Sequence, residues 1–172
     1  AKGAILGVFF DVPLVAEAHE KGVGKTFRAR FNRAETDQYS ESFEADAEVL
    51  HVSDGQIIGR DPGSRAGMAV DLGPTAVLRI GTVTVVAISI RQQCIDPGYF
   101  EAFGIDVKGA RTTIVKSRGH FRAGFSVYFS SDQVIECDAP GLTSPNLANF
   151  DWQGFKRPIY PFDMETEWVA PD

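Results

Sequence analysis

Cysteine and histidine are scarce in this sequence. There are two cysteines, Cys94 and Cys137, and no C-x-x-C pair. Neither a disulfide-stapled scaffold nor a thiolate zinc site is therefore specified. Two unbonded, mostly buried thiols in a reducing, cytoplasmic setting are expected, rather than a bond between them. The three histidines are His19, His51 and His120, with no H-x-x-x-H or similar pairing. Zinc takes three or four ligands, so a self-contained metal site is not expected. No run of about 18 apolar residues occurs, which leaves no candidate for a membrane-spanning helix. The opening Ala-Lys-Gly leads straight into an apolar run and lacks the layout of a signal peptide. It begins abruptly, as a piece of a longer chain would. Basic residues are also in short supply. Formal net charge is −6, and residues 129–172 account for all of it with two basic and eight acidic side chains. No basic stripe remains for nucleic acid. The acidic end reads as solvated surface.

What is present fits one globular domain. The chain has 172 residues, of which 44% are apolar, enough for a sizeable core. Residues 4–10 are apolar throughout, as in a strand buried on both faces. Asp11 can cap a helix that tolerates Pro13 in its first turn and stops at Gly22. Gly24-Lys25-Thr26 is not a phosphate loop, because that pattern needs glycine at position 19, which is His19. Residues 26–31 alternate instead and predict a half-exposed strand. Residues 32–42 read as a loop. Residues 43–52 read as a long strand, turned at Ser53-Asp54-Gly55 into a return strand at 56–59. A solvated loop at 60–65 and a turn at 71–74 follow. Residues 75–80 and 83–90 flank Gly81-Thr82 as a tight hairpin.

The hairpin delivers Arg91-Gln92-Gln93. Asp96-Pro97 then opens a helix through Tyr99, Phe100 and Phe103, closing at Gly104. Residues 106–111 connect to a strand at 112–115. Residues 134–137 read as a last short strand, and 140–149 as turn-rich with one helical turn after Ser144-Pro145. The prolines at 158 and 161 predict extended backbone between them. Residues from Glu165 on are expected to fray, with Trp168 docking. The fold class is α/β: a mixed β-sheet with flanking helices and β-hairpins in a single domain.

Chemistry concentrates in the stretch from Ile114 to Phe125. Lys116, Ser117, Arg118, His120 and Arg122 lie within seven residues. Phe121 and Phe125, four apart, can pin one face of a short helix to the core. The polar groups would then sit at the carboxyl end of a strand, where open α/β sheets place their ligands.

Lys116-Ser117, His120-Phe121-Arg122-Ala123, the 140–145 motif Pro-Gly-Leu-Thr-Ser-Pro and the 157–161 motif Arg-Pro-Ile-Tyr-Pro come in one order. Together they resemble the C-terminal domain of the microcystinase C (MlrC-like) family of zinc-dependent peptidases, known for degrading linearised microcystin. The resemblance implies a domain over 1–163 and a tail over 164–172. It implies a hydrolase of small peptides whose zinc ligands belong to an N-terminal metal-binding domain. That domain, and the glycine-rich Pro-Gly-Asp segment before this region, are absent from the sequence. This chain alone would bind no zinc, contact no membrane or nucleic acid, and be inactive.

Three readings of the polar cluster compete. Ser117 beside Lys116 and His120 suggests a nucleophile, yet triad members come from separate elements, and no G-x-S-x-G elbow exists. Lys116, Ser117, His120, Arg122 and Arg91 form instead a substrate-binding or supporting surface, with donors suited to a carboxylate or oxyanion. The structural alternative pairs Lys116 and Arg122 with Asp71 or Asp96 and buries His120. At the level of the whole chain, the rival to a metallopeptidase domain is a stand-alone binding module without catalysis.

Overall fold

A computed structural model describes residues 3–33, 40–60, 65–117, 119–139, 144, 146–167 and 169–170. Parts of the loops expected at 32–42 and 60–65, together with Arg118, most of the 140–145 motif and Trp168, lie outside the described residues. The chain divides into two compact units, residues 1–134 and 135–172.

The first unit carries the sheet. Strands β1 (Ala4–Phe10), β2 (Thr26–Phe31), β3 (Phe43–Ser53), β6 (Thr75–Ile80), β7 (Val83–Ile88) and β8 (Thr112–Val115) pair in the order β2-β3-β6-β7-β1-β8. The pairs β2–β3, β3–β6 and β6–β7 are antiparallel, whereas β7, β1 and β8 run parallel. The sheet is therefore mixed, as expected. Short strands β4 (Gln56–Ile58) and β5 (Ala69–Asp71) form a separate antiparallel pair. This corrects the expected return strand. β3 turns at Gly55, whose φ is +76°, but β4 takes β5 as its partner and leaves β6 to pair with β3.

Helix α1 (Val12–Lys21) starts where the sequence predicts. Asp11 Oδ1 accepts the Leu14 N–H at 2.9 Å, Pro13 sits in the first turn, and Gly22 ends the helix at φ +82°. Leu14, Val15 and Ala18 face one side of the sheet with Phe27, Ala29, Val49 and Leu78. The other side is filled by Ile5, Val77, Val86 and Ile88 with Tyr99, Phe100 and Phe125. Helix α2 is only Gly98–Glu101, shorter than expected. The chain still turns at Gly104, at φ +75°. Helix α3 is Phe121–Phe125. Cys94 is buried as expected, but Cys137 is exposed, and both are unbonded.

The second unit holds little regular structure. Residues 134–137 are not a strand: among the described residues they join no ladder, and Ile135 is 85% exposed. One helical turn forms at Leu147–Asn149, as predicted. Asp138 Oδ2 accepts from Ser144 Oγ at 2.7 Å and from Asn149 Nδ2 at 2.8 Å. Trp152 packs edge-on against Phe150 and Phe162, and Phe155 stacks on Phe162. The 157–161 motif is a turn rather than extended, with both X-Pro bonds cis. Its ends are closed by Asp163, whose carboxylate accepts from Arg157 and the Ile159 N–H while its own N–H donates to the Ile159 carbonyl.

Two predictions follow from these contacts. A Cβ on Gly7 would lie 2.6 Å from the buried Phe100 ring, so Gly7→Ala should destabilise the fold by about 1–3 kcal/mol, measured by urea denaturation. The Arg157 guanidinium beside Asp163, with the Ile159 N–H, holds that carboxyl down at about 2, below its ordinary 3.8. A depressed carboxyl stabilises above its unfolded value and loses that contribution as pH falls through the folded one. The turn should hold from neutral pH to near 4 and open as pH drops towards 2, followed by the Asp163 carboxyl carbon shift. Asp163→Asn should abolish the transition.

Candidate functional site

Strands β7, β1 and β8 are parallel, so their carboxyl ends share one edge of the sheet. Adjacent β1 and β7 send the chain to opposite faces. After β1 the chain enters α1, which packs on β2, β3, β6 and β7; after β7 it enters α2, which packs on β1 and β4. This is a topological switch point, and such sheets open a ligand crevice there.

The predicted residues follow two of these strands. Arg91 lies three residues past β7, exposed, with its guanidinium 4.1 Å from the centre of the Phe10 ring at the end of β1. Lys116 and Ser117 directly follow β8. Register sets the two groups at different depths. Ile88 is level with Phe10, but Val115 is level with Gly7, a step of roughly 10 Å at the ordinary rise. Lys116 is exposed. The Ser117 hydroxyl oxygen is enclosed and has no hydrogen-bond partner among the described residues. It therefore makes no bond to Lys116 or His120, and the arrangement of an activated nucleophile is missing.

His120 immediately precedes α3 and is exposed, not a buried histidine. Arg122 is also exposed, 5.5 Å from the Phe121 ring centre. Phe121 and Phe125 both pack on the core, as their spacing predicts. Gly124 brings α3 against the backbone of Ile95 and Asp96; a Cβ there would collide with the Ile95 carbonyl oxygen. Asp96 is buried and accepts from the Arg60 N–H at 3.0 Å and the Gly98 N–H at 2.7 Å. Asp71 Oδ1 accepts the Gly73 N–H at 2.8 Å.

Two features escaped the sequence. Asp11, at the end of β1, is buried with Oδ1 on the Leu14 N–H and Oδ2 on the Asn32 N–H at 2.7 Å; its helix-capping signal was legible, its second bond was not. Arg65 donates to Gln92 Oε1 at 3.2 Å and to the Tyr99 hydroxyl at 3.3 Å. Burial pushes the Tyr99 hydroxyl up from the usual phenol range, and the Arg65 charge opposes the shift. Gln92 beside Arg91 was the one available hint of this network.

A zinc set is a different matter. His19 Nε2 donates to the Thr75 carbonyl at 3.0 Å, the His51 ring rests against Phe103, and His120 precedes α3. Among the described residues no three His, Cys, Asp or Glu side chains converge. These residues do not fit a zinc ion, and no step is derived through one.

Residues 1–154 match the family described as MlrC C-terminus. The chain belongs to that family. No curated protein matches it. Among solved structures it is similar to a crystal structure, at 2.13 Å resolution, of a candidate metallopeptidase from Mesorhizobium sp. BNC1. The TM-score is 0.77 and the identity 25%, over 98% of this chain and 33% of that one. The MlrC C-terminus chain thus spans about a third of the length of its structural relative.

Gly124→Ala should push α3 off the 95–96 backbone at a cost of about 1–3 kcal/mol. Amide exchange across 121–125 should rise, while that of α1 stays within the global change.

Proposed function

We propose that the chain is the C-terminal domain of a microcystinase C-like zinc metallopeptidase. The parent reaction is metal-assisted hydrolysis of a peptide amide. The zinc ligands lie on an N-terminal domain of the same polypeptide, which packs against this one. This domain shapes the pocket and receives a small peptide substrate. Family membership and a metallopeptidase-named relative three times as long support the reading. The observation that carries it is the placement of Arg91 past β7 and Lys116 past β8, at the carboxyl ends of two strands that run parallel beside β1.

Each residue has a role suited to its position. Arg91, Lys116, His120 and Arg122 donate to a substrate carboxylate or to the oxyanion that forms when the amide is attacked. Ser117, whose hydroxyl oxygen is enclosed, supports the turn that carries Lys116 out of β8. A cytoplasmic setting accords with two unbonded cysteines.

The test uses the longer polypeptide. Lys116→Ala, His120→Ala and Arg122→Ala should each lower kcat/KM about tenfold or more, the cost of one charged hydrogen bond, with unchanged melting temperature. Full turnover in all three would make the cluster structural. Zinc calorimetry on the 172-residue chain should give no stoichiometric binding. Tight one-to-one binding would place the ligands within it.

A further inference from the structure

The arginines divide by what neutralises them. Arg28 pairs with Glu44 and Asp46, Arg33 with Glu17, Arg60 with Glu101, Arg79 with Glu48, and Arg157 with Asp163. Arg65 differs. It is half-buried, and its side-chain partners among the described residues are the neutral Gln92 Oε1 and Tyr99 hydroxyl, at 3.2 and 3.3 Å. Both bonds come from Nη1, which has only two N–H groups to give. The other edge of the fork, Nε–H with Nη2–H, has no hydrogen-bond partner among the described residues. That edge is the one that grips a carboxylate with two parallel bonds. Among the described residues no carboxylate stands within salt-bridge distance of this half-buried cation, and a partly desolvated charge gains by pairing with an anion.

The guanidinium is also held in place. The Tyr99 ring is fully buried. Gln92 Nε2 donates to the Asp71 carbonyl at 3.2 Å, which leaves its Oε1 to face Arg65. An orientation set from two sides lowers the ordering cost of binding. Gln92 directly follows Arg91, so the network stands just past the carboxyl end of β7.

We propose that Arg65 is an anion subsite that takes a planar carboxylate side-on through Nε and Nη2, with Tyr99 and Gln92 as positioning residues. The subsite stands on its own geometry. Its ligand, the free carboxyl terminus of a peptide, rests on the metallopeptidase reading.

The test is a nitrogen-15 NMR titration of the 172-residue chain, with the Arg65 Nε–H signal assigned by its loss in Arg65→Lys. The probes are N-acetyl-dialanine, its C-terminal amide, and N-acetylglutamate amide. The acid should move the Arg65 signal saturably and the amide should not. Arg65→Lys, which keeps the charge but loses the fork, should weaken acid binding about tenfold. Tyr99→Phe should weaken it without removing the signal; if that variant fails to fold, Gln92→Ala takes its place. A response to N-acetylglutamate amide alone supports the subsite and assigns it to an acidic side chain. An unmoved signal, or equal responses to acid and amide, overturns the proposal. So does an Arg65→Lys variant that melts earlier but binds the acid normally, because Arg65 would then only cover the Tyr99 hydroxyl. The two readings fail separately. Loss of turnover on changing Lys116, His120 or Arg122 with an unresponsive Arg65 removes only the subsite. An Arg65 that binds the acid while the longer polypeptide cuts no peptide removes only the metallopeptidase reading.

Discussion

Phe100 can press one edge of its ring against the middle of β1 because residue 7 has no side chain. The ring is fully buried and meets Phe125 edge-to-face, with centroids 6.4 Å apart. That geometry favours an aromatic pair beyond its buried area. One contact therefore sets two distances: α2 from the sheet and α3 from α2. The crossover from β7 to β8 passes over β1 through α2, so both carboxyl ends that bear the basic residues are tied to it. Gly124 repeats the device on α3, letting the helix touch the Ile95 backbone. His120 and Arg122 ride on that helix. A change at Gly7 would thus reach residues that share no contact with it.

Two buried acids are already committed. Asp11 gives both oxygens to backbone N–H groups, one opening α1 and one in the turn after β2. Asp96 does the same for Arg60 and Gly98. A buried carboxylate needs such donors, since losing them would strand a charge in the core. The consequence is local. Carboxylates that fix the backbone spend their hydrogen-bonding capacity on N–H groups. Arg91 meets Phe10 through an aromatic face, a cation–π contact that ties the end of β1 to the segment after β7.

Local signals were legible and long-range ones were not. The uninterrupted apolar run at 4–10 named β1, and Asp11, Pro13 and Gly22 named α1, because each acts within a few residues. The 75–88 hairpin was legible for the same reason. The partner of β4 was hidden, because strand pairing across β5 depends on the rest of the sheet. Residues 134–137 carry the right residue types for a strand, but alternation alone does not supply a partner, and among the described residues they pair with none. The prolines near 160 suggested extension, and the Asp163 closure four residues on overrode them. Lys116, Ser117, His120, Arg122 and Arg91 were singled out by the density of polar groups near strand ends, a signal carried within the local sequence. Arg65 was missed because its loop read as solvated, and its meaning comes from Tyr99 and Gln92, 34 and 27 residues away.

A chain with net charge −6 is an unpromising host for a carboxylate if charge is summed over the molecule. The sum is the wrong quantity. At physiological salt, exposed charges are screened beyond roughly 8 Å, whereas a partly buried guanidinium acts through a lower dielectric at contact distance. The negative balance comes entirely from residues 129–172, whereas residues 1–128 carry equal numbers of acidic and basic side chains. Attraction at Arg65 or Arg91 is governed by the groups within one or two side-chain lengths. Raised ionic strength should therefore weaken the exposed Lys116 and Arg91 contributions before it touches that of Arg65, whose donors are half-buried and already aligned.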